Sequence, residues 1–407
     1  MLANALTILA LGLGLVLLLQ LVVLFYLTLQ RFSFAGVQKK AESELFSERL
    51  AIARLQLKRQ ENVGPWNGTR KFEISRADTE CDSVRSLYLV PHDKKPLPGF
   101  RPGQYLTFEL DIPAQRNRVI RCYSLSDRPR ADFYRVTIKK IGLASTFFHT
   151  TLKVGDIVDV KAPSGGFYLD MNRMTPIVLI GAGVGVTPML SMLNEVVETG
   201  LQREVWMFFG VRNRADHIMK EHFETVARNN SNVRLRICYS KPDKEDVSGK
   251  DYQIEGRVTP DLLKKELPSN NYDFYLCGPG EMMQGMQTGL RDWGVPAANI
   301  HMEAFGPASV KKVAPAPAAA PAEAVQVTFS RAGRELAWKG QADSLLDLAL
   351  AEDVPLPFGC RAGNCGTCKT AIKSGKVKYL KEPGCEVEAG SCLTCICVPE
   401  TALVLEA

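Results

Sequence analysis

Seven of the eleven cysteines fall between Cys360 and Cys397, and their spacing is the sharpest chemical signal in the chain. Cys360, Cys365 and Cys368 form C-x4-C-x2-C. That is the spacing of three thiolates in one tight loop around a [2Fe–2S] cluster, with a fourth cysteine supplied from further along the chain. Such a loop must turn its amide N–H groups toward the sulfurs, and Gly359, Gly363 and Gly366 let the backbone wrap that closely. The fourth ligand is one of Cys385, Cys392, Cys395 and Cys397. Zinc would favour two paired C-x2-C knuckles; only Cys365/Cys368 and Cys392/Cys395 have that spacing, which leaves Cys360 over. Clustered cysteines of this kind point to metal chemistry in a reducing compartment rather than to disulfides. A second signal is Gly181-Ala-Gly183-Val-Gly185-Val-Thr187-Pro188, directly after the apolar run Ile177–Ile180. Strand, glycines and helix in that order bring a phosphate to a helix amino terminus. Pro188 stands where the usual dinucleotide fingerprint has its last glycine.

The elements that must hold these residues change character along the chain. Residues 62–165 read as β-rich: Lys71–Ser75, Arg85–Val90, Tyr105–Leu110 and Tyr134–Lys139 alternate or are β-branched, with Pro/Gly punctuation between them. Residues 175–305 alternate apolar strands (Ile177–Ile180, Val205–Gly210, Val233–Tyr239, Tyr272–Leu276) with helical stretches, the pattern of an open parallel α/β sheet. Ala314–Ala322, APAPAAAPA, has no charge and no aromatic residue and reads as a semi-extended spacer. Residues 325–407 form a third unit, with a strand at Val325–Phe329 and a helix at Ser344–Glu352 ahead of the cysteines.

The stretch SLLDLALAEDVPLPFGCRAGNCGTCKT resembles the plant-type ferredoxin family, and the resemblance extends over the whole carboxy-terminal unit. It implies an α+β, β-grasp-like domain and, through Leu393-Thr394-Cys395, Cys395 as the fourth ligand beside Cys360, Cys365 and Cys368. Arg121-Cys122-Tyr123-Ser124, Gly142-Leu-Ala-Ser145, the glycine loop ending in Thr187-Pro188, Cys277-Gly278-Pro279-Gly280-Glu281-Met282 and Glu303-Ala-Phe305 are similar, in this order, to motifs of the ferredoxin–NADP reductase superfamily. The resemblance implies an antiparallel β-barrel FAD domain followed by a parallel-sheet NAD(P) domain. By it, Arg121 pairs with the FAD pyrophosphate, Gly142 and Ser145 receive the same pyrophosphate, and Tyr123 stacks on the isoalloxazine. Ser124 approaches the reactive flavin nitrogen. Gly183, Gly185, Thr187, Pro188, Gly278 and Pro279 hold the nicotinamide nucleotide, Cys277 sits where hydride passes, and Glu303 and Phe305 close the site beside the flavin. Ser240-Lys241 matches the superfamily's 2′-phosphate reader with Lys in place of Arg, and a point charge lacks the bidentate fork, so NADH is expected over NADPH.

Residues 1–30 carry no charge, and Ala5–Leu29 is long enough to cross a hydrocarbon core of ~30 Å. Basic residues follow directly at Arg31, Lys39 and Lys40, which places the remainder in the cytoplasm. The expected organisation is therefore a transmembrane anchor (4–30), a juxtamembrane helix (31–61), an FAD domain (62–170), an NAD(P) domain (171–308), a linker (309–324) and a ferredoxin domain (325–407). The localisation that follows is the cytoplasmic membrane, single-pass, with the lipid bilayer as a partner. Lys+Arg 50 against Asp+Glu 44 gives a net charge of only +6, which excludes a polybasic nucleic-acid-coating protein, and no nucleic-acid partner is expected. Asp216-His217-Ile-Met-Lys-Glu221-His222 has the wrong histidine spacing for a zinc helix and reads as a surface helix. The function that results is electron transfer in one polypeptide. NAD(P)H gives two electrons to FAD, the [2Fe–2S] centre takes them singly, and a membrane-bound oxygenase, hydroxylase or desaturase receives them. An NADH:quinone reductase subunit of a respiratory complex is the alternative, although its ferredoxin domain precedes the flavin domain. A redox-sensing or scaffold protein is a third.

Overall fold

In the computed structural model, the described residues are 18–21, 23–26, 64–113, 115, 118–303, 305, 324–363, 365–381, 383–385 and 387–407. The chain forms two compact units, Met1–Asn62 and Val63–Ala407. Of the first, residues 18–21 and 23–26 are described as helical and exposed. Among the described residues no helix is long and apolar enough to cross a membrane. The expected localisation in the cytoplasmic membrane, with the bilayer as a partner, is corrected accordingly. The juxtamembrane helix expected at 31–61 and the spacer Ala314–Ala322 lie outside the described residues.

The second unit begins with six strands: β1 (Thr69–Cys81), β2 (Val84–Pro91), β3 (Tyr105–Leu110), β4 (Val119–Ser124), β5 (Tyr134–Lys139) and β6 (Ile157–Ser164). They pair antiparallel in the order β4-β3-β6-β1-β2-β5. A single Leu125–Val136 bridge joins the chain beyond β4 to β5, so the sheet curls toward closure. The strands alternate as sheets with one buried face do: in β1, Phe72 and Ile74 are fully buried while Glu73 between them is not. Helix α1 (Leu143–Thr150) lies between β5 and β6 and buries Ala144 and Phe148 in the same core.

The next six strands are β7 (Ile177–Ala182), β8 (Val205–Val211), β9 (Val233–Tyr239), β10 (Ile254–Glu255), β11 (Asp273–Cys277) and β12 (Ile300–Glu303). They form an all-parallel sheet in the order β10-β9-β8-β7-β11-β12. Both faces are covered, which is why β7 reads as an unbroken apolar run. Helix α2 (Val186–Glu198) packs on one face; Pro188 falls in its first turn, where the missing N–H costs nothing, and Gly200 at φ +74° ends it. Helices α3 (Lys220–Asn229), α4 (Pro260–Glu266) and α5 (Gly280–Asp292) complete the layers. Met283 and Met286 on α5 are buried core residues. The strand order reverses between β7 and β11, and an α/β sheet offers its ligand crevice at the carboxyl ends on either side of that switch point.

The carboxy-terminal region has a mixed sheet in the order β14-β13-β19-β15-β17, with β13 (Val325–Phe329), β14 (Arg334–Trp338), β15 (Lys369–Ser374), β17 (Ser391–Leu393) and β19 (Leu403–Leu405). Strands β16 (Val377–Tyr379) and β18 (Cys397–Pro399) pair separately. Helix α6 (Leu345–Ala351) is capped by Ser344, whose hydroxyl accepts from Asp347 N at 3.2 Å, and buries Leu345, Leu346 and Leu348.

Candidate functional site

Three chain segments end in line at the switch point. Gly181 on β7 pairs with Cys277 on β11, which pairs with Glu303 on β12. Cys277 is fully buried and its thiol is pushed well above the usual range by burial. Gly185 begins the turn into α2 so close to β11 that a Cβ there would lie 2.3 Å from the Cys277 carbonyl oxygen. Only glycine fits, and the close approach keeps the Gly183–Pro188 turn and the Cys277–Pro279 turn on one crevice. Gly183 takes φ +54°, and Thr187 turns its hydroxyl back to the Val184 carbonyl at 3.0 Å. Pro188 is buried on α2, Gly278 packs against Met282, and Pro279 caps α5.

Ser124, at the end of β4, meets this line. Ser124 donates its hydroxyl to Glu303 Oε2 at 3.3 Å, joining β4 to β12 across the domain boundary. Glu303 is 3% exposed, and burial lifts its carboxyl to about 8, with Ser124 and Lys381 opposing the rise. At neutral pH it is therefore a carboxylic acid, able to hold a proton at the point where the hydroxyl meets it. Tyr123 makes edge contacts with Phe108 and Phe148, at 5.7 and 5.3 Å between centroids, which fix its ring on the β4 surface. Arg121 is half-buried and donates from Nη1 to the Ile120 carbonyl. Ser145, in the first turn of α1, accepts from the amides of Ile141 and Gly142, both at 2.9 Å. Its hydroxyl thus shapes the Gly142 turn. Phe305 packs on the core of the parallel-sheet domain.

The four cysteines singled out as cluster ligands come together as two pairs. Cys368 and Cys395 have their sulfurs 3.1 Å apart, and the Cys360 and Cys365 thiols interact with each other. Loop amides point at these sulfurs: Cys360 N at Cys365 Sγ (3.3 Å), and Ala362 N and Cys365 N at Cys360 Sγ (3.4 and 3.3 Å). Arg361, Gly363 and Gly366 adopt positive φ to make that turn. Among the described residues, no three His, Cys, Asp or Glu side chains converge as one metal ion would need. Two thiol pairs with amide donors aimed at sulfur suit a binuclear iron centre, in which each iron takes two protein thiolates. Cys392 and Cys397 contact each other instead, and Cys385 lies 3.8 Å from the Gly363 carbonyl.

Some functional neighbours carried no motif. Asp127, buried just beyond β4, accepts from Arg130 Nε (2.9 Å) and from Asn194 Nδ2 on α2 (2.8 Å), and its carbonyl accepts from Ser191 (2.7 Å). Burial raises its carboxyl, but Arg135, Arg130 and Asn194 outweigh that and hold it below the usual range. Lys381, in the ferredoxin domain, is in electrostatic reach of Cys360, Cys395 and Glu303 together, and burial draws its ammonium down. The histidines divide: His222 lies on the surface helix α3 and bonds Asn194 Oδ1 at 2.8 Å, while His217, ahead of that helix, is buried and bonds the Tyr239 hydroxyl at 2.9 Å.

Known proteins match these regions in the same order. The oxidoreductase FAD-binding domain matches residues 71–168, the oxidoreductase NAD-binding domain residues 179–288, and the 2Fe-2S iron-sulfur cluster binding domain residues 327–400. The flavohemoprotein of Bacillus cereus is 38% identical over 253 residues, 60% of this chain and 63% of that protein. This chain thus spans less than two thirds of that relative's length. The flavohem-like FAD/NAD binding domain of nitric oxide dioxygenase from Vibrio cholerae is 32% identical, with a TM-score of 0.54 over 59% of this chain and 100% of that one. The chain belongs to the family of oxidoreductases with paired FAD- and NAD-binding domains. More particularly, it joins these two domains to a 2Fe–2S iron-sulfur cluster binding domain, and its cofactors are FAD, NAD(H) and the [2Fe–2S] cluster. Phthalate dioxygenase reductase, 24% identical with a TM-score of 0.54, shares the fold over 84% of this chain and 98% of its own.

Proposed function

We propose that the chain passes electrons from NADH, in preference to NADPH, through FAD and the [2Fe–2S] centre to an oxygenase-type acceptor. When bound, FAD accepts a two-electron hydride and the cluster carries electrons one at a time. The residues divide the remaining work. Arg121, with the Gly142–Ser145 turn at the start of α1, holds the flavin pyrophosphate by a guanidinium and helix amides. Tyr123 presents its ring to the isoalloxazine. Gly183, Gly185, Thr187, Pro188, Gly278 and Pro279 form the crevice for the nicotinamide nucleotide, with Cys277 at its floor and Phe305 at its side. Ser124 and the protonated Glu303 hold a proton next to the reactive flavin edge while excluding water. Cys360, Cys365, Cys368 and Cys395 ligate the cluster; Cys385, Cys392 and Cys397 do not.

The observation that carries this reading is the alignment of Ser124, Cys277 and Glu303, three residues from distant segments on one buried line. The test is rapid mixing of the FAD- and iron-loaded chain with NADH. Flavin bleaching should precede the appearance of the reduced-cluster EPR signal. Cys395→Ser should keep the first event and lose the second; an intact EPR signal in that variant defeats the ligand assignment. A clear kcat/KM advantage for NADPH would defeat the nucleotide preference.

A further inference from the structure

Side chains on β4 alternate, so Ile120, Cys122 and Ser124 face one way and Arg121 and Tyr123 the other. The ferredoxin loop sits on the first of these faces. A Cβ on Gly359 would lie 3.2 Å from Ile120 Cγ2 and 2.9 Å from Cys365 Sγ. Nearby, the Gly384 carbonyl oxygen would be 3.2 Å from a Cβ on Gly166. Between these contacts the Cys122 thiol lies in hydrogen-bond reach of both Cys360 and Cys365, with Thr107 Oγ1 on β3 at 3.4 Å on its other side. A third thiol, from another domain and from the middle of the flavin motif, therefore touches two ligand sulfurs.

We propose that Cys122 is the positioning residue for electron exit: its S–H donates to the ligand sulfurs of Cys360 and Cys365, raising the cluster's reduction potential and holding the cluster loop on the flavin strand. This rests on the ligand assignment above. Hydrogen bonds to ligand sulfur stabilise the more negative, reduced state of a cluster and so move its potential upward. In the step concerned, one electron leaves the reduced flavin and one reaches the cluster. No covalent bond forms or breaks, and the Cys122 proton stays on its sulfur. Thr107, directly opposite on the neighbouring strand β3, keeps that sulfur in place.

The experiment uses the full chain loaded with FAD and iron, comparing wild type with Cys122→Ala and Cys122→Ser. Potentiometric titration followed by EPR reads the cluster midpoint, and absorbance reads the flavin midpoint. Resonance Raman in H2O and D2O reads exchangeable hydrogen bonds to the Fe–S unit. Cys122→Ala should keep its full iron content, shift the cluster midpoint downward, leave the flavin midpoint unmoved and reduce the deuterium sensitivity of the Fe–S bands. Cys122→Ser, which keeps a donor, should fall between the two. An unshifted cluster midpoint, equal shifts at both centres, or loss of iron in Cys122→Ala would overturn the proposal. Retention of the cluster in Cys360→Ser and Cys365→Ser would overturn it through the ligand assignment instead, and iron content tells the two failures apart.

Discussion

The flavin domain meets its two neighbours through surfaces of opposite chemistry. Toward the nicotinamide-binding domain it presents charge: Asp127 bonds Arg130 and Asn194, Arg128 pairs with Glu198 at 2.7 Å, Arg130 pairs with Glu198 at 2.9 Å, and His222 secures Asn194 from α3. Toward the ferredoxin domain it presents small and apolar groups, with Ile120 against Gly359, Gly166 against Gly384 and Cys122 against the cluster loop. The difference matches what must cross each boundary. A hydride moves only between atoms in contact, so the nucleotide crevice needs a lock with directional bonds. An electron requires nearness but not bond formation, and a close seat with few directional bonds suffices.

The largest test of this contrast is Asp127→Ala. It leaves the buried Asn194 amide without its acceptor and takes from Arg130 one of its two carboxylates, Glu198 remaining, so stability should fall by about 1–3 kcal/mol. NADH-to-ferricyanide turnover should drop with it, while the EPR line shape of the cluster stays as in wild type. Denaturation midpoints and turnover check the first two, and EPR the third. Gly359→Ala should do the reverse. The added methyl overpacks against Cys365 and Ile120 at a cost of about 1–3 kcal/mol. Flavin reduction by NADH persists, and flavin-to-cluster transfer slows, as stopped-flow absorbance would show. If both variants damage both steps equally, the two surfaces are one cooperative seat and the comparison fails.

The two buried carboxyls give the boundary with the nicotinamide-binding domain two opposite pH dependences. Asp127 is held below its usual range, so its contribution is present above the unfolded pKa and is lost as pH falls through the folded one. Glu303 is raised from 4.5 to about 8. Between those values the unfolded chain releases its proton and the folded one keeps it, so stability falls as pH rises, by up to about 1.4 kcal/mol per unit. Glu303→Gln should abolish that slope, appearing more stable than wild type near pH 8 and equal to it below 4.5 in denaturant titrations. The smallest effect is expected from Ser124→Ala. It removes one hydrogen bond, about 0.5–1.5 kcal/mol, and with it an interaction that lowers the Glu303 pKa. The alkaline limb of the NADH–ferricyanide pH profile should move upward.

What was legible in the sequence was whatever is written locally. Cys360 to Cys368 and Gly181 to Pro188 each lie within one short stretch, so residue type and spacing sufficed to single them out. The strands read correctly for the same reason: β7 is buried on both faces and its apolar run says so. Ser344 was read as the start of a helix and serves as its cap. What could not be read depends on folding distant segments together. Asp127 and Asn194 are 67 residues apart and Ser124 and Glu303 are 179 apart, and no periodicity links them. Cys122 occupies the variable position of its motif, which carries no signal until another domain is seated against it. The segment Asp216–His222 reads as a surface helix, and nothing in its spacing says that His217 meets Tyr239 or that His222 meets Asn194.

Strand β4 has a last consequence, for synthesis rather than for catalysis. It is an edge strand of its sheet, and Val119-Ile120-Arg121-Cys122-Tyr123-Ser124 is a short β-prone run with a single charge. Such edges template aggregation unless something lies against them. Here the side-chain face with Ile120 and Cys122 is covered by a loop translated only after the whole nicotinamide-binding domain. At about 5–20 residues per second, the nascent chain carries the bare edge for ten seconds or more. A chain truncated before residue 325 would carry it permanently, and its aggregation on expression would measure how far the iron–sulfur domain also serves as a fitted cover for the strand that feeds it.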